Sequence, residues 1–141
     1  MKKLFLFLAV AGFAVSCSKD DDNGGSDTLK FKIDGVQKSM SNIVVNEEPN
    51  GDGTYWLTVT GSIGGTTEVF SFESDSGEVG ANAAYAFTYV ANSQAYYEDT
   101  MVSVVETNNG SRIKGSFSGT MMNWSTGDEV SITEGQYDIS Y

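Results

Sequence analysis

From Thr28 to Tyr141 the chain consists of short runs that alternate apolar with polar residues, most of them closed by Gly or Asn. Period-two text of this kind restricts the fold to antiparallel β-structure, because successive side chains on a strand point to opposite faces. Leu29, Phe31 and Ile33 alternate with Lys30 and Lys32, and Asp34-Gly35 then supplies the two positive-φ residues of a type I′ hairpin turn. Seven further segments repeat the pattern: 41–47, 54–63, 67–73, 85–90, 101–107, 112–122 and 129–141. Pro49-Asn50-Gly51-Asp52-Gly53, Gly64-Gly65, Asn108-Asn109-Gly110 and Ser125-Thr126-Gly127-Asp128 punctuate them as turns. No window of a dozen residues carries the i, i+3, i+4, i+7 apolar spacing of a helix.

Parity assigns the faces. Tyr55, Leu57, Val59 and Ile63 fall on one side of their strand and Trp56, Thr58, Thr60 and Ser62 on the other, so the first set is the expected core face. The same reasoning turns Phe70, Phe72, Tyr85, Phe87 and Tyr89 inward, together with Ile113, Phe117, Val130, Ile132, Tyr137, Ile139 and Tyr141. The expected architecture is all-β: an antiparallel β-sandwich or partly closed β-barrel of about eight short strands, a single domain over residues 28–141.

The residues before it read differently. Lys2 and Lys3 precede an unbroken run of apolar residues and Gly from Leu4 to Val15, too short for a membrane span, which needs about 20 residues. The run ends in Ala14-Val15-Ser16-Cys17, which resembles a lipoprotein cleavage box, with Ala14 where Leu is more usual. That resemblance implies a signal peptide over residues 1–16 and acylation, palmitate included, of Cys17, the only cysteine in the chain. Residues 17–27 hold no core-forming side chain after Cys17 and read as an acidic, disordered tether. Within it Lys19-Asp20-Asp21 resembles the surface-export signal of lipoproteins in Bacteroidota-type envelopes, which implies an outer-membrane, cell-surface location.

Charge and composition exclude several functions. Loss of Lys2 and Lys3 with the signal leaves 6 basic against 19 acidic residues, a net charge of −13, so no nucleic-acid partner is expected. Histidine is absent, which removes the commonest general base and the usual transition-metal ligand. Glu48-Pro49-Asn50-Gly51-Asp52-Gly53 opens like a calcium loop, but its first position is not Asp and its twelfth is Val59, so it reads as a hairpin turn and no metal is expected. Asp75, Glu78, Glu98, Asp99, Asp128 and Glu129 fall in or beside turns among exposed-type residues, poor surroundings for the raised pKa that a glycosidase acid requires. Ser111 and Lys114 have a Ser-x-x-Lys spacing but lie where a turn enters a strand. No catalytic residue and no cofactor is therefore expected, and the chain reads as a non-enzyme.

What remains are binding features. Trp56, Tyr96, Tyr97 and Trp124 are aromatic residues at outward or loop positions, suited to stacking on sugar rings, although one of the adjacent Tyr96 and Tyr97 must turn inward if that segment is a strand. Asp27-Thr28-Leu29 and Asp99-Thr100-Met101 resemble the short O-glycosylation acceptor of the same envelopes, with Thr28 and Thr100 as the acceptors and Thr28, where tether meets domain, the better candidate.

Phe31-Lys32-Ile33-Asp34-Gly35, the stretch from Gly80 to Tyr89, Ile113-Lys114-Gly115-Ser116-Phe117-Ser118-Gly119 and the closing Ile132 to Ile139 together resemble a family of small uncharacterised Bacteroidota-type lipoproteins, an all-β domain of unknown function. The resemblance implies a fold and a location and brings no site residues with it. Gly135, in the closing strand, is expected at a bulge or a close approach. The combined expectation is an outer-membrane lipoprotein held by a lipid anchor on Cys17. It would bind an envelope or extracellular glycan or protein, or else act as an accessory subunit of an envelope assembly, with a hydrolase that uses loop carboxylates as the third reading.

Overall fold

The computed structural model describes residues 27–141. The expected signal, Cys17 and Lys19-Asp20-Asp21 lie outside the described residues. Within them the chain forms β1 (Thr28–Ile33), β2 (Val36–Met40), β3 (Asn42–Pro49), β4 (Tyr55–Ser62), β5 (Val69–Asp75), β6 (Gly80–Ala81), β7 (Ala84–Ala91), β8 (Gln94–Glu98), β9 (Val102–Asn108), β10 (Arg112–Met122) and β11 (Glu129–Ser140). All pairings are antiparallel, in one sheet of order β2-β1-β11-β10-β8-β7-β5-β4-β3, with β9 on β10 and β6 on β9. This sheet curls into a half-barrel, so the partly closed barrel is the architecture formed. β6 and β8 are strands that the sequence pattern did not separate, and β2 is the partner that the Asp34-Gly35 turn implies without bounds; each is short and mostly polar or small.

The curl has local causes. β2 runs into β3 through Ser41 alone, so one bent segment pairs with β1 in its first half and β4 in its second. Ser41 fixes the bend: its N–H donates to Ser62 O (2.9 Å) and its Oγ accepts the Gly64 N–H (3.3 Å). At that corner Gly61 lies under Leu29 and Met40; a Cβ there would stand 2.8 Å from Leu29 Cδ2 and from Met40 Cβ. Three strands also carry one extra residue each, and every such bulge sharpens the local twist. Ser71 pairs with Thr88 but Glu73 with Tyr85, Lys114 with Thr107 but Gly115 with Val105, and Phe117 with Gly135 but Gly119 with Ile132. Ala86 and Glu134 absorb two of these extra residues at positive φ, both 53°. The bulge on β11 thus centres on Glu134, while Gly135 is the close approach, where a Cβ would lie 2.6 Å from the Phe117 ring.

The bulges decide which parity assignments hold. Leu57, Val59, Phe70, Phe72, Phe87, Tyr89, Ile113, Phe117, Ile132, Tyr137 and Ile139 are buried as expected. Tyr85 is not: the extra residue at Ala86 reverses the alternation, puts Ala84 into the core and leaves Tyr85 opposite Glu73, with its hydroxyl on Asp75 Oδ1 (3.1 Å). Tyr55 is not either: it opens β4 opposite Pro49, beyond the last core layer, and is 48% exposed. Ile63, Val130 and Tyr141 pack partly buried against the core.

Aromatic rings fill the interior. Phe117 lies 5.1 Å from Phe70, 5.4 Å from Phe87 and 5.8 Å from Phe31 between ring centroids, and Phe72 lies 4.7 Å from Tyr137. At one end a buried amide locks the loops: Asn108 Nδ2 donates to Asp75 O (2.8 Å) and Glu78 O (3.2 Å). Ser103 joins β9 to β7, its Oγ donating to Ala84 O (2.7 Å) and accepting the Ala84 N–H (3.2 Å).

Phe117→Ala is expected to cost about 3–5 kcal/mol, since it removes the ring shared by most of the cluster. Gly61→Ala is expected to cost about 1–3 kcal/mol by overpacking the corner. Urea unfolding followed by far-UV circular dichroism measures both; an unchanged midpoint for either variant refutes the packing account of that position.

Candidate functional site

Because rings occupy the interior, a ligand must meet the ends or the outer faces of the half-barrel. The two ends differ. Asp27 Oδ1 accepts the Ser140 N–H (2.9 Å) and Thr28 pairs with Asp138, so the chain enters at the end of β11. The β7–β8 turn and the β10–β11 loop lie at the other end, where β11 begins. β11 runs from Glu129 to Ser140, so the ends are separated by roughly 35 Å measured along the strand.

At the far end a groove of about 390 Å³ is lined by Ser93, Gln94, Ala95, Tyr97, Asn123, Trp124, Ser125 and Thr126. Tyr97 pairs with Met122 in the short contact between β8 and β10, which sets it beside the loop that carries Trp124. Trp124 is 64% exposed and Tyr97 46% exposed. The loop is held by hydrogen bonds. The side chain of buried Asn123 accepts the N–H groups of Ser125 (2.9 Å) and Thr126 (3.3 Å), Asn123 O accepts the Gly127 N–H (2.7 Å), and Asn123 N–H donates to Asp128 O (2.8 Å). The opposing turn is equally defined, since Asn92 (φ 51°) and Ser93 (φ 64°) form a two-residue turn between β7 and β8 with both φ positive. Two flat rings therefore stand on fixed supports among amide and hydroxyl groups, an arrangement that can stack on a sugar ring and hydrogen-bond its hydroxyls.

The four aromatic candidates separate. Tyr96 turns inward, its ring 6.1 Å from that of Tyr89 and its hydroxyl donating to Gln94 Oε1 (2.9 Å). Trp56, 43% exposed, sits on β4 opposite Glu48 and Asp75, away from the groove. Gln94 and Asn123 were missed in the sequence; the only cue to Asn123 was the turn that follows it. Of the acceptor threonines, Thr28 is half-buried as the first residue of β1, and Thr100 is exposed with its hydroxyl 2.6 Å from that of Thr120.

The stretch from Glu48 to Gly53 makes the β3–β4 turn, and Asp52 Oδ1 caps it by accepting the N–H (2.9 Å) and hydroxyl of Thr54. Among the described residues no group of three or more acidic or sulfur side chains is placed to hold a metal ion, and no helix is long and apolar enough to cross a membrane. The carboxylates with shifted ionisation, Asp52, Glu68 and Asp138, are all held low by hydrogen bonds, the opposite of what a general acid needs.

Glu68 belongs to a cluster that parity alone did not reveal. Lys38 Nζ lies 2.7 Å from Glu68 Oε2, which also accepts the Tyr89 hydroxyl (2.7 Å), so β2, β7 and the loop entering β5 meet at one carboxylate. The hydrogen bond from Lys38, and then that from Tyr89, hold the Glu68 pKa below its ordinary 4.5. A depressed carboxylate contributes stability that is whole above the unfolded-state value and is lost as pH falls through the folded one. Glu68→Gln is therefore expected to lower the thermal midpoint at neutral pH and to converge on the parent protein below pH 4.5. Melting curves of both proteins from acid to neutral pH measure this, and a gap that persists in acid would assign the loss to packing instead of charge.

No protein-family model, curated protein or solved structure matches this chain, so the reading of the site rests on its geometry.

Proposed function

We propose that the protein is an outer-membrane, surface-exposed lipoprotein, anchored through Cys17, whose β-domain is a non-enzymatic module that binds a glycan in the Tyr97–Trp124 groove. The observation that carries this reading is the pair of exposed rings on a hydrogen-bonded loop and turn, at the end opposite the chain's entry at Asp27. A domain tethered at Asp27 would hold the groove away from the membrane. Lys19-Asp20-Asp21 supports the surface location, and the exposure of Thr100, against half-buried Thr28, favours Thr100 as the glycosylation acceptor in place of the Thr28 expected from the sequence.

A second reading, an accessory subunit that docks on an envelope protein, is supported by a different face. Val79, Val102 and Val104 are all exposed, on β9 and beside the short β6 that pairs with it.

Neutral hexasaccharides of glucose, galactose, mannose, xylose and N-acetylglucosamine are the probes for the first reading. They are titrated into the full-length chain in detergent, with Trp124 as the sole tryptophan after Trp56→Phe. Quenching by at least one probe is expected, and Trp124→Ala, followed by calorimetry, is expected to weaken it at least about tenfold. Heat and quenching absent with every sugar would end the glycan reading and leave the valine face to be tested by co-purification. For location, intact cells are treated with a protease that cannot cross the outer membrane. Loss of the domain while a periplasmic control survives is the expected result, and survival of both would place the protein inside.

A further inference from the structure

We infer, resting on the glycan reading of the groove, that it admits uncharged sugars and rejects anionic ones. None of its eight lining residues is basic. Every cation among the described residues is placed elsewhere or already neutralised. Arg112 and Lys114 open β10, at the opposite end of the strand from Met122, and bind Asp138 (2.6 Å) and Glu106 (2.8 Å). Lys32 is bound to Glu134 (2.6 Å) and Lys38 to Glu68 (2.7 Å). Lys30 lies on the outer face of β1, where it lines a different groove together with Lys114.

Carboxylates, by contrast, flank the rings. They come from the Trp124 loop and the start of β11; Glu98, next to Tyr97 on β8, turns to the opposite face of the sheet and accepts the Phe87 N–H (3.0 Å). Asp128 closes the Trp124 loop by accepting the Thr126 hydroxyl (2.8 Å). Glu129 pairs with Met122, which pairs in turn with Tyr97, so Glu129 stands in the same cross-strand row two strands away, about 10 Å from the tyrosine. At low salt, about 0.01 M, that distance lies well inside the Debye length of about 30 Å, so the field of these groups reaches the groove, and it is progressively screened as salt rises. A sulfate or carboxylate on the sugar would meet the charges of Asp128 and Glu129 and no counter-charge. A neutral ring would lose nothing to them.

The test sets each neutral hexasaccharide of the panel against its sulfated form, by calorimetry on the full-length chain at low and high salt. Affinity for the neutral form about tenfold or more above the sulfated form is expected in low salt, with the gap closing in high salt. Glu129→Lys is expected to raise affinity for the sulfated form while leaving the neutral one unchanged. Equal binding of both forms would overturn the charge selection and leave the glycan reading intact, as would tighter binding of the sulfated form. Failure of both forms to bind would overturn the glycan reading and this inference with it.

Discussion

The fold depends on Phe117. Its ring lies within contact range of Phe31, Phe70, Phe72, Phe87 and Tyr137, which come from β1, β5, β7 and β11, while Phe117 itself comes from β10. Strands far apart in the chain and on both limbs of the sheet thus share one desolvated cluster, and the apolar area that it buries offsets the entropy of closing long loops. Filling the interior also settles where function can reside. A half-barrel can enclose a small ligand in a lined cavity, but here aromatic side chains occupy the space. A ligand of this domain would have to be met at the rim.

Bringing those strands around one cluster requires curvature, and the sequence supplies it at few points. The extra residues on β7, β9 and β11 bend their strands, and Ser41 lets one segment serve both limbs of the sheet. β10 shows the consequence. Its full length pairs with β11, yet its other edge is divided: β9 takes Ile113 to Ser118 and β8 only Met121 and Met122. The brief contact with β8 is what sets Tyr97 beside the Trp124 loop. The candidate site is therefore a product of how the sheet branches, and it would not exist if β9 continued along the whole of β10.

This origin explains what could be read in advance. Alternation in Leu29-Lys30-Phe31-Lys32-Ile33 and the Asp34-Gly35 turn gave the first hairpin directly, because both signals are local and both φ values are positive as that turn requires. Parity held wherever a strand was regular and failed at Tyr85, because Ala86 adopts a positive φ that nothing in an alanine announces. It failed at Tyr55 for another reason: alternation reports a face and is silent on where the core stops. Of the aromatic set, exposure of Trp124 was legible from its place before a turn. Its pairing with Tyr97, and the inward turn of Tyr96, depended on a register between β8 and β10 that spans only two residue pairs. Glu68, Lys38 and Tyr89 meet across segments with no common motif, so no linear pattern could unite them.

The energetics of Trp124 separate binding from stability. A tryptophan 64% exposed contributes little by burial, and the hydrogen bonds that shape its loop come from Asn123, Thr126, Gly127 and Asp128, not from the indole. The fold thus gains almost nothing from the ring it displays. Tyr89 and Tyr137 are the contrasting case: burial first, and for Tyr89 also the hydrogen bond to Glu68, raises their pKa, and their rings are part of the core. An exposed ring on a preorganised loop loses little conformational freedom when a flat ligand settles on it, since the backbone beneath is already fixed. On the proposed glycan reading, the rigidity that the Asn123 turn gives to the loop would favour association, and Asp128 and Glu129 would bias which of the stackable ligands approach.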